Sequence, residues 1–307
     1  MKNPSKLAIV ITGPTASGKS DLALALARYF QTSIISADSR QCYRELNIGT
    51  AKPPASALAE IKHYFINSHS IHDNVNAGLF EKLALSYADE IFQHASVAIV
   101  CGGTGLYVKA FCEGLDQIPP VPSDVREQLR HMYAAKGLSW LQEQVRKKDP
   151  AFYQQADVRN PHRLLRALEV REATGQSILN FQQQTPHPRS FQILKIGIQL
   201  PRNELHQRIA VRVKQMIEEG LFEEAASLQA FRSHPALQTV GYREIFDWME
   251  GKYSREEAIQ QIIFHTRQYA RRQLTWFRRD RDIHWIDAPD PDKALQLVKM
   301  KLSDLES

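Results

Sequence analysis

"LAIVITGPTASGKSDLALALARYF", residues 7–30, is the stretch on which the fold turns. The apolar run LAIVIT at 7–12 meets GPTASGKS at 13–20, and the chain then takes up helical spacing in DLALALARYF. A G-x-x-x-x-G-K-S loop between a strand and a helix is a P-loop. Gly13 and Gly18 permit backbone geometries that aim successive N–H groups inward, and the opening helix adds its positive end, so a di- or triphosphate is favoured there. Lys19 is placed to reach the outer phosphate, and the Ser20 hydroxyl to join a phosphate-bound Mg²⁺. The loop defines the shape of the ligand and leaves its identity open.

Working outward, SIISA at 33–37 and VAIVC at 97–101 are further strand candidates, alternating with helical patterns as in a parallel sheet built from βαβ units. EGLDQIPPVPS at 113–123 and QQQTPHPRS at 182–190 break that alternation. Between them the chain reads as helix: SDVREQLRHMYAAKG has Ser123 as N-cap and Gly137 as stop, and NPHRLLRALEVREATG has Asn160 as cap, Pro161 in the first turn and Gly175 at the end. FQILKIGIQL at 191–200 then reads as a strand returning to the first part, followed by two long helices, the second opening with Ser254 and Glu257 in capping-box spacing. The expected fold class is α/β: a P-loop core with a parallel sheet flanked by helices, plus an all-helical insertion domain. Its expected limits are residues 1–114 and 190–307 for the core and 115–189 for the insertion.

Composition narrows the setting. In 307 residues, 43% hydrophobic and 24% charged content is that of an ordinary soluble globular protein, and 39 Lys+Arg against 34 Asp+Glu gives +5, compatible with a polyanionic partner. Cys42, Cys101 and Cys112 form no C-x-x-C pair, so neither a disulfide framework nor a zinc ribbon is expected, and a reducing cytoplasm fits. No signal peptide or membrane span is expected. Nothing in the sequence sets the oligomeric state, and a monomer is compatible with it. The histidines His63, His69 and His72 have a spacing that matches no common zinc pattern.

P-loop NTPases usually carry an aspartate at the end of a second strand to help hold Mg²⁺. VAIVC ends instead in GGTGLY, and the acid closes SIISAD, putting Asp38 at the edge where open α/β sheets bind ligands. Asp38 also suits a turn, and GGTGLY requires close backbone approach, as a turn or as a ligand wall. A carboxylate beside a phosphate loop suits an acceptor that must lose a proton, as when the organic part of a pyrophosphate ester moves to a weak nucleophile. Arg267, Arg271 and Arg278 project within about 40° of one another on the last long helix, with Tyr269, Trp276 and Phe277 interleaved. Arg159, Arg163, Arg166 and Arg171 form a second basic set, and Arg208 and Arg212 a third. Basic groups on separate elements imply phosphates.

GPTASGKS, ISADSRQCYRELNIGTAKP, VCGGTGLYVKA, NPHRLLRALEV, TVGYRE and QLTWFRR, in that order, resemble the transfer RNA dimethylallyltransferases of bacteria. The resemblance runs through most of the chain. It implies transfer of a dimethylallyl group from dimethylallyl pyrophosphate to N6 of the adenosine 3′ of the anticodon in tRNA. On it, Gly13, Pro14, Thr15, Ala16, Ser17, Gly18, Lys19 and Ser20 would hold the pyrophosphate, with Mg²⁺ at Ser20. Asp38 would be the general base, Thr104 would lie close to the reacting adenosine, and Arg212 would support the departing pyrophosphate. The target nucleotide would meet Asp38, Ser39, Arg40 and Gln41. Further tRNA contacts would come from Arg126, from His162, Arg163, Leu164, Leu165 and Arg166, and from Gln238, Thr239, Val240, Gly241, Tyr242 and Arg243. Cys42, Ser20 and His162 depart from the commoner residues, aliphatic, threonine and glutamine respectively. The zinc-finger tail of many eukaryotic members is absent, implying a short bacterial form.

Two other readings stay open. A prenyltransferase acting on free adenine nucleotides would accept AMP in place of tRNA. A P-loop NTP-binding, RNA-associated protein would show nucleotide-dependent RNA affinity and a Mg²⁺-holding strand acid.

Overall fold

A computed structural model describes residues 6–182 and 185–306. The chain opens with β1 (Leu7–Thr12), α1 (Lys19–Phe30), β2 (Ile34–Ser36), α2 (Ala55–Glu60), β3 (His63–Tyr64), α3 (Ala77–Ile91), β4 (Val97–Cys101) and α4 (Gly105–Glu113). Three helices follow, α5 (Ser123–Lys148), α6 (Pro150–Gln155) and α7 (Pro161–Thr174). The last part contributes β5 (Gln192–Ile198), α8 (Arg202–Glu218), α9 (Leu221–Ser227), α10 (Tyr242–Met249), α11 (Arg255–Phe277), β6 (Ile283–Ile286) and α12 (Pro291–Glu306).

The chain divides into two compact units, residues 114–187 and the remainder. In the larger unit the six strands described form one parallel sheet in the order β3-β2-β4-β1-β5-β6. All six residues of β1 are buried, because β4 and β5 flank it and helices cover both faces. A strand buried on both faces reads as a continuous apolar run. At about 1.5–3 kcal/mol per large aliphatic side chain removed from water, LAIVI has no better place than the sheet centre. The strand expected at 191–200 does return to β1, pairing Ile9 with Leu194 and Ile11 with Ile196. Periodicity overlooks β3 and β6, which span two and four residues, too short to display a period.

Two side chains of the larger unit clamp the points where the chain leaves it and comes back. Arg189 donates from Nε to Phe111 O (2.9 Å) and from a terminal nitrogen to Ala110 O (2.7 Å) and Glu81 (2.9 Å). Lys195 on β5 bonds Asp280 (2.6 Å) and Glu113 (3.4 Å).

The smaller unit has its own core, including Leu141, Val145, Leu164, Ala167, Leu168 and Val170. Asn160 caps α7 by accepting from Arg163 N (3.3 Å), and Gly175 closes it with φ 70°. Ser123 is the first helical residue instead of the cap, which is Pro122. Gly137, expected as a stop, interrupts α5 with φ 74° and ψ −172°, and helix resumes directly after it, because a single left-handed glycine breaks the hydrogen-bond ladder without forbidding a new one.

Candidate active site

The phosphate loop lies at the carboxyl end of β1. Gly13 has φ 138° and an added Cβ would stand 2.5 Å from Ile198 O, so backbone angle and space both demand glycine. Ala16 also has positive φ, at 62°, a cost that only a fixed surrounding sustains. Lys19 Nζ donates to Pro14 O (2.6 Å) across the loop. Burial, with a smaller push from Arg212, lowers its ammonium to about 8 against the opposing influence of Cys101 and Asp38. Ser17 Oγ and Thr12 Oγ1 are buried without a hydrogen-bond partner among the described residues, polar capacity of the kind diphosphate oxygens satisfy.

Asp38 follows β2 and uses its two oxygens differently. Oδ1 accepts from Arg40 N (2.8 Å) and Gln41 N (3.3 Å), the turn-forming role open to it from sequence. Oδ2 carries no hydrogen bond among the described residues. The turn is backed by Thr104, whose Oγ1 accepts from Ser39 N (3.0 Å) and donates to Ser39 Oγ (3.3 Å), and the Tyr269 phenol lines the same clefts as Asp38. Burial pushes that phenol up to about 12.

In GGTGLY, Gly102 and Gly103 line the cleft beside the loop and also leave no room for a side chain. A Cβ on Gly102 would sit 2.2 Å from Ala37 O, and one on Gly103 2.2 Å from Gln273 Nε2. Gln273 is buried on α11, accepting from Thr15 N (2.8 Å) and donating to Gly103 O (2.9 Å), so one amide joins the phosphate loop to the turn that carries Thr104. An amide at helical spacing from Ile262, Tyr269 and Phe277 is the one local signal for Gln273 that the sequence carries.

Two clefts meet here. One, with about 940 Å³ of open space, is lined by Thr15, Lys19, Ser20, Asp21, Asp38, Arg212 and Gln273. The other is lined by Ser39, Arg40, Thr239, Val240 and Gly241. Both include Thr15, Asp38, Thr50, Arg212 and Tyr269. Arg212, on α8, joins no ion pair among the described residues; burial depresses its guanidinium, while Asp38 and Asp21 oppose that. Arg208 is held by Glu204 (2.9 Å), so the pair expected from i,i+4 spacing does two different things.

The structure sorts the remaining expected residues. Thr239, Val240 and Gly241 line the second cleft, and Gln238 and Arg243 are exposed. The Tyr242 side chain is fully buried with its hydroxyl on Glu224 (2.6 Å), and Leu164 is fully buried in the smaller unit, so neither side chain presents a surface to RNA. Buried Glu244 accepts from Gly241 N (2.8 Å) and Arg243 (3.0 Å) and bonds His265 (2.7 Å), holding that segment in place. In the smaller unit His162 and Arg163 are exposed, while Arg126 (3.8 Å) and Arg166 (3.5 Å) both face buried Glu169. A third cleft, along α8 and α11, gathers Arg202, His206, Arg267, Arg271 and Arg278, and Arg267 Nε is buried there without a partner among the described residues.

Sheet, cradle and paired clefts define a P-loop α/β protein. A family model described as IPP transferase matches residues 41–280. The tRNA dimethylallyltransferase of Cytophaga hutchinsonii is 41% identical over 98% of this chain and 99% of that one. The tRNA dimethylallyltransferase 1 of Bacteroides fragilis is 43% identical over 95% and 96%. Among solved structures, the tRNA isopentenylpyrophosphate transferase of Bacillus halodurans matches at 32% identity with TM-score 0.69, over 98% of this chain and 99% of that one. A eukaryotic dimethylallyltransferase acting on tRNA matches at 25% identity with TM-score 0.76, over 93% and 75%. The chain belongs to the IPP transferase family.

Proposed function

We propose that the chain transfers a dimethylallyl group from dimethylallyl pyrophosphate to the N6 amine of the adenosine 3′ of the anticodon in tRNA, releasing pyrophosphate. The coarser statement, a transferase that dimethylallylates tRNA, follows from its family. The observation that carries the finer one is the meeting of two clefts at Asp38, whose Oδ2 is free. A phosphate cradle opens on one side of that carboxylate and a separate cleft on the other, which suits two substrates brought together.

The adenine amine is a weak nucleophile because its lone pair is delocalised into the ring. Asp38 Oδ2 takes its proton as the new C–N bond forms, a contribution of roughly 10²–10⁴-fold. The C–O bond to the diphosphate breaks, and the charge that develops there is met by loop N–H groups, Ser17 Oγ, Lys19 moving off Pro14 O, and Arg212. Thr104 holds the turn that carries Asp38.

The donor set fits Mg²⁺. The Ser20 hydroxyl and the Asp21 carboxylate line the cleft beside the cradle, hard oxygens of the type this ion combines with phosphate oxygens. When bound, the ion would supply neutralisation of charge on the departing diphosphate. Gln273, by holding Thr15 N, keeps the cradle aligned for it.

The groove of Arg202, Arg267 and Arg271, together with Arg126, Arg163 and Arg166, supplies cations for tRNA phosphates, and exposed His162 a further polar contact. An anticodon loop is already unpaired, which lowers the cost of drawing one base out of its stack. Among the described residues no helix is long and apolar enough to cross a membrane, and a cytoplasmic location accords with the substrate. Incubation with labelled dimethylallyl pyrophosphate and unmodified tRNA should place label in the anticodon loop. Brisk ATP turnover with the prenyl donor and RNA left untouched would refute the proposal.

A further inference from the structure

Glu224, on α9, lines neither cleft, yet its carboxylate accepts four hydrogen bonds. Asn47 N (3.0 Å) and Ile48 N (2.9 Å) donate to Oε2, Gly49 N (3.0 Å) and the Tyr242 hydroxyl (2.6 Å) to Oε1. The three amides open the 3-10 turn Ile48–Thr50, where a helical turn leaves its N–H groups unpaired and favours negative charge. The far end of that turn faces the site. Thr50 O and Ala51 O accept from the Gln41 side-chain amide (3.3 and 3.2 Å), and Gln41 N donates to Asp38 Oδ1 (3.3 Å). The fit is close: a Cβ on Gly49 would lie 2.5 Å from the ring of Tyr242, and Gly49 and Thr50 wall the second cleft beside Arg40. From the opposite side Lys52 grips the same loop through Tyr43 O (2.6 Å) and Asn47 Oδ1 (3.0 Å).

We propose that Glu224 is a positioning residue for the acceptor base: it pins the 47–51 turn so that Gln41, and through it the Asp38 carboxylate, keeps its aim into the cleft. The inference rests on Asp38 being the base. Glutamine at position 224 has the same shape but keeps one acceptor oxygen and turns an NH₂ toward the other pair of donors, so the turn loses half its anchor while the phosphate cradle, held by Gln273, is left alone.

The test is single-turnover transfer to an anticodon stem-loop RNA at saturating donor, with binding of inorganic pyrophosphate measured in parallel. Glu224→Gln should slow transfer roughly 10- to 100-fold, the cost of misplacing a reacting group by a fraction of an ångström, and leave the pyrophosphate Kd within about twofold. Tyr242→Phe keeps three of the four bonds and should slow transfer about 2- to 5-fold. Combined with Gln41→Ala, either should add almost nothing, since both act through that amide. Effects that multiply, or a wild-type transfer rate per folded molecule in Glu224→Gln, would overturn the inference. Should Glu224→Gln fail to fold, the Tyr242→Phe and Gln41→Ala cycle decides by the same criterion. Asp38→Asn separates the two readings. Full activity there removes the base assignment and this inference together, whereas an inactive Asp38→Asn beside a fully active Glu224→Gln removes this inference alone.

Discussion

Asp38 holds a turn with one oxygen and leaves the other for chemistry, and this division makes its substitution informative. Asparagine keeps the acceptor that Arg40 N and Gln41 N need but cannot take a proton. Asp38→Asn is therefore expected to bind tRNA within about twofold of wild type and to lose roughly 10²–10⁴-fold in single-turnover rate. Equal losses in binding and rate would contradict the assignment. Lys19 supplies a pH dependence. With its ammonium depressed to about 8, the free enzyme carries that charge below pH 8 and sheds it above. kcat/KM for the donor should then fall above pH 8, approaching about tenfold per pH unit, while kcat holds to higher pH because a bound diphosphate keeps the lysine charged. The loop and Asp38 were legible in sequence because both follow from neighbours in the chain: glycines at fixed spacing, an acid closing an apolar run. Gln273 was not, since Thr15, which it serves, lies 258 residues away and no local pattern records such a pairing.

Among elements, α11 combines two duties on two faces. One face sends Gln273 and Tyr269 to the cleft beside the loop, and another lines the basic groove with Arg267, Arg271 and Arg278. Gln273→Leu would strand Thr15 N–H and Gly103 C=O, so thermal denaturation should register a loss of about 1–3 kcal/mol, with a raised donor KM and tRNA affinity retained. Replacing Arg267 and Arg271 by alanine should do the converse, weakening tRNA of any sequence and reducing the slope of log affinity against log salt by about 1 for each phosphate no longer neutralised. An unchanged slope would remove the groove from the RNA interface. Helix ends were readable where capping is chemical, as at Asn160 and in the Ser254–Glu257 box, because a side chain meeting a backbone N–H three residues on is a local event. The interruption at Gly137 was not, because glycine announces a left-handed residue without saying whether helix resumes. The order of strands was hidden too: βαβ units imply parallel pairing, but only the packed sheet sets β4 between β1 and β2.

For the molecule as a whole, the two Pro/Gly-rich breaks read from sequence flank a unit with a separate core, and the charge of that unit invites its own test. Arg163→Ala with Arg166→Ala should weaken tRNA binding and flatten its salt dependence, leaving pyrophosphate binding by the larger unit unchanged. The Arg189 clamp has a consequence for how such a protein can be cut and rebuilt. Phe111 and Arg189 are bonded to one another where the smaller unit is spliced into the chain, and Lys195 ties Glu113 to the sheet beside them. The scaffold is thus sutured across its own excision point. Exchanging residues 114–187 for a short glycine-serine bridge should yield a truncated protein that still melts cooperatively and captures pyrophosphate, a socket into which foreign RNA-reading modules could be grafted.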